Sequence, residues 1–303
     1  MKIVLAGGSG FLGRSLAPWL VQHGHEVAVI SRHGPIVWDG KTVGPWAEAL
    51  EGVDALINFA GRSVNCRYNE ANRTEIYASR LDSTRVLGDA ISSSRTPPRV
   101  WLNSSSATIY RHAEDRDMDE ATGEIGTGFS VDVCQKWEAE LARAETPRTR
   151  KAAMRTAMVM GPEPGGAFEA FHRLVRLGLG GHQGRGRQYM SWIHVEDFCR
   201  TISWLIECDS LDGPINIASP NPLPNSEFMR VMRETAGMRI GLPAAAWMIQ
   251  VGTWLMRTEP ELVLKSRRVV PGRLAASGFE FKFPEWKIAC KEIVKVLSSV
   301  VKT

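Results

Sequence analysis

The sequence predicts an α/β fold: a doubly wound parallel sheet with a smaller, mainly helical C-terminal lobe. Three observations carry this. Short β-branched runs alternate with helical stretches through the first half, the pattern of parallel strands crossed by helices. A glycine-rich turn, Gly7 to Gly13, sits directly between the first strand and the first helix. After Gly161-Pro162 the alternation blurs, and Pro, Gly and Trp become frequent. The reading divides the chain into residues 1–160 and 161–303, with returns to the first sheet at about 191–218.

Lys2–Ala6 is a short apolar run and reads as a strand, and Phe11–His23 is an amphipathic helix. Glu26–Ser31 is a second strand. Ala55–Phe59, apolar throughout, fits a strand buried on both faces. A long helix over Asn72–Ser92 follows, then a strand at Val100–Ser104, a helix at Val131–Ala144 and a strand at Ala152–Met160. The returns are a helix at Val195–Glu207 and a strand at Pro214–Ala218. The lobe is predicted from helices at Ser226–Ala236, Ala244–Met256, Glu259–Leu264 and Trp286–Val300.

Composition excludes several classes. With 44% hydrophobic and 23% charged residues among 303, the chain is ordinary globular protein. A net charge of +4, without basic runs interleaved with aromatics, gives no footprint for nucleic acid. The apolar stretch Ala244–Met256 is too short to span a bilayer, so no membrane partner is expected. Five cysteines with no CxxC suggest neither a disulfide framework nor a zinc site, and no metal is expected. With no signal peptide visible, a reducing cytoplasm is the expected location.

The sharpest motif is Gly7-Gly8-Ser9-Gly10-Phe11-Leu12-Gly13. After a strand and opening a helix, it fits a pyrophosphate cradle of the Rossmann type. One glycine makes the tight turn, one lets backbone N–H groups approach the phosphates, and one lets helix and strand pack. The next strand ends Ser31-Arg32, with no carboxylate for a ribose 2′-hydroxyl. The Arg32 guanidinium and the Ser31 hydroxyl suit a 2′-phosphate instead, so NADP(H) is the expected cofactor.

These motifs resemble the extended short-chain dehydrogenase/reductase superfamily. Asn58-Phe59-Ala60-Gly61 is similar to its turn beside the cofactor, Ser104-Ser105-Ser106-Ala107-Thr108-Ile109-Tyr110 to its catalytic strand end, and Ile193-His194-Val195-Glu196-Asp197 to a further family element. Ser79-Arg80 with Thr84, Val133-Cys134 with Trp137-Glu138, Gly184–Trp192 and Pro271 with Gly278-Phe279 resemble one branch of it, the YfcH-like proteins. These are described as sugar-nucleotide epimerases with their own C-terminal domain. The resemblance implies cofactor contacts from Ser31, Arg32, Phe59, Ala60, Gly61, Glu75, Arg80 and Ser104.

The family's usual chemistry is missing. Its members place Tyr and Lys four apart on one helix face, and no Tyr-x-x-x-Lys exists in this chain. Aligned on Glu138, the lysine position is Cys134, expected to line the cofactor site, and the tyrosine position is Ser130. Ser106 occupies the serine position, and Tyr110, four residues on, or a water is the candidate substitute acid/base. The arginine that grips a nucleotide-sugar diphosphate in extended epimerases is Met190 here, with Arg185 and Arg187 nearby. Three readings stay open. One is an NADP(H)-dependent reductase or epimerase on a small hydroxyl or carbonyl substrate, with a homodimer as the assembly entertained. The second is a non-catalytic protein that senses NADP(H) redox state, and the third a structural homo-oligomer subunit with a vestigial cofactor.

Overall fold

A computed structural model describes residues 1–255, 259 and 261–300 of the chain. The first half builds β1 (Lys2–Ala6), α1 (Phe11–Gln22), β2 (Glu26–Ser31), β3 (Ile36–Val37), β4 (Ala55–Asn58) and α2 (Glu70–Ser93). It continues through β5 (Val100–Ser106), α3 (Phe129–Arg143) and β6 (Arg150–Thr156). Next come β7 (Met158–Met160), α4 (Ala167–Arg176), β8 (Tyr189–Met190), β9 (Trp192–His194), α5 (Val195–Glu207) and β10 (Gly213–Ile217). The remainder is β11 (Leu223–Pro224), α6 (Asn225–Thr235), α7 (Ala246–Leu255), α8 (Glu261–Leu264), α9 (Gly272–Ala276) and α10 (Trp286–Val300).

Seven strands form one parallel sheet in the order β10-β6-β5-β4-β1-β2-β3. Alternation along β1 sends Ile3 and Leu5 to one face and Val4 and Ala6 to the other. The first face packs on Leu16 and Leu20 of α1 and on Phe198, Ile202 and Leu205 of α5. The second packs on Val86, Leu87 and Ile91 of α2 and Leu141 of α3. Covered on both faces, the strands read as continuous apolar runs. The chain leaves β1 toward β2 on one side and returns through β4 on the other. That reversal opens a crevice at the carboxyl ends of the strands, where such sheets bind ligands.

The C-terminal lobe has its own core. Phe228 of α6 stacks on Trp286 of α10, with centroids 4.2 Å apart and planes 9° apart. Trp192 of β9 meets the same Trp286 edge-on at 4.9 Å.

Several elements differ from expectation for local reasons. The predicted strand Ala152–Met160 is two strands. At Ala157 the backbone N–H turns to Ile217 O, and β7 then pairs with β9 in a separate ribbon. The long helix starts at Glu70 because the Asn69 side chain caps it, accepting from the Asn72 N–H. α3 starts at Phe129, after Gly128 in the left-handed region at φ 99°. β3 and α9 are too short to show a period, whereas α4 carries one, with Phe168, Phe171, Leu174 and Val175 at helical spacing, in a stretch where no helix was expected. Met256 and Pro260, inside two predicted helices, lie outside the described residues. Among the described residues no helix is long and apolar enough to cross a membrane.

Candidate functional site: a dinucleotide cleft with a composite inner end

Two adjoining cavities, about 480 and about 620 Å³, fill the crevice and share Gly7, Gly10, Phe59, Gly61, Arg62 and Ser63. The glycine turn forms their floor. Gly7 has φ 75°, and a Cβ there would lie 2.5 Å from the Ala60 backbone nitrogen. A Cβ on Gly13 would sit 2.3 Å from Gly8 O, so only glycine lets α1 close on the turn. Gly10 differs: a Cβ would meet nothing nearer than Gly7 O at 3.8 Å, and it would point into open cleft. The first turn of α1 carries no acidic residue, so its free N–H groups face the cleft without a competing charge. Phe11, Leu12 and Gly13 line the inner cavity, and Ser9 the outer one.

At the outer end stand Ser31 and Arg32, at the tip of β2, with Ala60 and Glu75. Ser31 is buried and Arg32 exposed, and Arg32 is engaged in no hydrogen bond or ion pair among the described residues. Lys41 lines the same cavity, its ammonium equally uncommitted. Two free cations and a hydroxyl around one pocket fit a phosphate monoester. Glu75 is held by Arg62, which also donates to Asn72 Oδ1 at 2.7 Å. That pair bridges the loop after β4 to α2 along the rim.

The inner end is lined by Ser104 and Ser106 from the end of β5, by Thr108 from the short helical turn after it, by Arg80 from α2, and by Phe129, Ser130 and Cys134 from α3. Ser106 Oγ accepts from the Thr108 N–H at 3.2 Å. The Arg80 guanidinium lies 5.0 Å from the Trp137 ring centroid. Burial, helped by the Glu138 carboxylate, pushes the Cys134 thiol up to about 12, so it stays a neutral wall group. Tyr68 also lines this end; its backbone N–H donates to Glu259 Oε1 at 2.7 Å.

Tyr110 is not part of the cleft lining, which corrects the expectation that it could serve as acid/base there. The short helical turn Ala107–Ile109 swings it inward to 1% exposure. Its hydroxyl donates to Asn216 Oδ1 at 2.9 Å and accepts from Arg155 at 2.9 Å. Arg155 in turn holds Glu138, which accepts from Ser105 at 2.6 Å. Met190 is buried at 2% exposure, and neither Arg185 nor Arg187 lines either cavity. Among the described residues no cluster of His, Cys, Asp or Glu could hold a metal ion.

The cleft therefore fits a dinucleotide: a helix N-terminus for the pyrophosphate, free cations at one end and hydroxyls at the other. Comparisons with known proteins agree. Residues 3–218 match the NAD dependent epimerase/dehydratase family, and residues 244–293 match a domain of unknown function, DUF1731. The human "Epimerase family protein SDR39U1" is 32% identical over 97% of this chain and 100% of its own length. A crystal structure of that human protein with NADPH superposes with a TM-score of 0.89 at 31% identity, covering 97% of this chain and 99% of the other. A structure described as the nucleoside-diphosphate sugar epimerase from Corynebacterium glutamicum gives 0.79 at 25% identity, covering 100% of this chain and 60% of that one. The protein is a Rossmann-type α/β protein with a DUF1731 C-terminal region. It belongs to the NAD dependent epimerase/dehydratase family.

Proposed function

We propose that this chain is an NADP(H)-dependent reductase or epimerase acting on a small hydroxyl or carbonyl compound. The observation that carries the reading is the outer pocket. Arg32 and Lys41 face it unpaired, continuous with a glycine cradle and with Ser106 at the opposite end. Ser31, Arg32 and Lys41 would hold the 2′-phosphate, and Gly10 to Gly13 the pyrophosphate. Phe59, Ala60, Gly61, Arg80, Ser104 and Cys134 would wall the rest. Bound there, the cofactor supplies or accepts a hydride. The Ser106 hydroxyl, donating to no other residue among those described, would hold the substrate oxygen. The NADPH seen in the human relative supports the cofactor, and the Gly184–Trp192 segment supports kinship with the YfcH-like branch. The buried Met190 argues against a gripped nucleotide-sugar diphosphate.

A non-catalytic redox sensor is the second reading, favoured by the neutral Cys134 where α3 would carry a lysine. The two separate in a fluorescence assay of NADPH consumption against aldehydes, α-dicarbonyls and open-chain sugars. A reductase consumes NADPH with at least one class, an epimerase consumes none in net but converts a sugar to its epimer on chromatography, and Ser106→Ala slows either by about tenfold or more. A sensor binds NADPH and NADP⁺ with different affinity, consumes none and yields no epimer.

A further inference from the structure

We propose that Tyr68 is the proton-transferring residue at the inner end of the cleft, with Ser130 and Glu261 linking it to solvent. The proposal deepens the oxidoreductase reading and rests on it. Tyr68 lies in the loop between β4 and α2, far in sequence from either half of the family's usual pair. Its ring packs on Phe129 at the start of α3, with centroids 4.7 Å apart. Tyr68, Ser130, Ser106 and Thr108 line one cavity.

A chain of exchangeable protons leaves this point. Ser130 lines the same cavity as Tyr68, and its hydroxyl favours the ionised form of the Tyr68 phenol. Ser130 Oγ donates to Glu261 Oε2 at 3.1 Å. The Glu261 side chain is 34% exposed and meets water. Its other oxygen lies 3.7 Å from Lys265 Nζ, which donates to Thr108 O at 2.8 Å. The C-terminal segment thus closes the site with groups that α3 lacks.

The other candidates are committed elsewhere. Tyr110 is locked between Asn216 and Arg155. Tyr77 donates to Asp132 and does not line the cavity. The Cys134 thiol is too weak an acid, and among the described residues no histidine lines the inner cavity. Burial raises the Tyr68 phenol above its ordinary value; Ser130 opposes this, while Glu261, Glu259 and Cys66 add to it. The Arg80 and Arg267 guanidiniums also feel its charge. The phenol is therefore protonated near neutrality, as a general acid must be.

In the reductive direction the dihydronicotinamide of the proposed function is the reductant, and the substrate carbonyl carbon is reduced. As the C=O π pair moves onto oxygen, the Tyr68 O–H bond breaks and a substrate O–H bond forms. The phenolate regains its proton from Ser130, and Ser130 from water by way of Glu261. Oxidation runs the same proton path in reverse.

The test uses the full chain and Tyr68→Phe, which keeps the ring against Phe129. Ultraviolet titration of tyrosinate, wild type minus variant, isolates the Tyr68 step. Saturating NADP⁺, a net anion whose phosphates lie at the other end of the cleft, brings its one positive group, the nicotinamide ring, beside the phenol, so the step should fall by about one pH unit or more. Ser130→Ala should raise it, and Glu261→Gln should lower it. A step at the same pH with and without NADP⁺ overturns the proposal. With diacetyl as carbonyl probe, Tyr68→Phe should lower kcat by about 10²–10⁴ at unchanged NADPH affinity, and an undiminished rate also overturns it. Failure of the wild type to bind NADPH by calorimetry would instead overturn the oxidoreductase reading itself.

Discussion

The Arg155 guanidinium holds both carboxylate oxygens of Glu138, Nε to Oε1 at 2.8 Å and Nη2 to Oε2 at 2.7 Å. The two side chains are 9% and 14% exposed. Their pair ties β6 to α3, and through Ser105, Tyr110 and Asn216 it reaches β5 and β10. It forms the rigid backing of the cleft wall.

Removing one partner of such a pair strands a buried charge. Arg155→Met should therefore destabilise the fold by about 3–5 kcal/mol in denaturant unfolding. A loss under about 1 kcal/mol would show that the pair is solvated in solution. Tyr110→Phe should cost about 1–3 kcal/mol, since it leaves Asn216 Oδ1 short of a donor. It should leave NADPH affinity unchanged, because Tyr110 does not line the cleft.

The glycines of the phosphate turn should separate by variant. Gly13→Ala places a methyl against Gly8 backbone, so both stability and NADPH binding should fall, the former by about 1–3 kcal/mol. Gly10→Ala meets no protein atom closely, so its melting temperature should match the wild type while NADPH binding falls by tenfold or so. Equal melting losses in the two variants would contradict this division.

Arg32→Ala should weaken NADPH by about 1.5–3 kcal/mol, a loss of one charge-assisted contact, with little effect on NADH. Lys41→Ala should do the same to a smaller extent. Competition binding of the two dinucleotides decides it. Equal weakening of both would remove the 2′-phosphate role.

His194 supplies a pH dependence unrelated to the cleft. Its Nδ1 accepts the Glu196 N–H at 3.2 Å, capping α5, and its Nε2 meets Glu292 at 2.8 Å. Burial holds the imidazole below its ordinary value even though Glu292 opposes this. The unfolded chain therefore takes up a proton first as pH falls. The stabilising contribution is complete above the unfolded value near 6.5 and is lost as pH falls below it toward the folded value. Urea midpoints at about pH 7.5 and about pH 5.5 should differ less in His194→Asn, which keeps a capping oxygen. His25 and His172, also lowered by burial, contribute with the same sign in both proteins. An identical midpoint difference in the variant would contradict the assignment.

The parts of the cleft legible in the sequence are the locally determined ones. The strand, turn and helix from Lys2 to Gln22 follow from an apolar run, glycine spacing and helical periodicity. Ser31 and Arg32 follow from the position of a strand end. What was not legible depends on tertiary approach. Lys41 reaches the outer pocket through the turn after β3, a two-residue strand without periodicity. Glu259, Glu261 and Lys265 arrive from the C-terminal region, and Tyr68 comes from a loop with no secondary structure. Tyr110 failed as a candidate because spacing from Ser106 does not show which way a helical turn faces. His194 caps α5 through Nδ1, and Asp197 accepts from the Lys282 and Phe283 N–H groups at 2.8 and 2.7 Å, contacts from the C-terminal region that the local motif does not show.

Calorimetric titration of the purified protein with NADPH, NADP⁺, NADH and NAD⁺ decides whether this cleft holds a 2′-phosphorylated dinucleotide. One site per chain is expected, with the 2′-phosphate forms bound at least about tenfold more tightly than the others. Binding of none of the four, or equal binding of all, would contradict it.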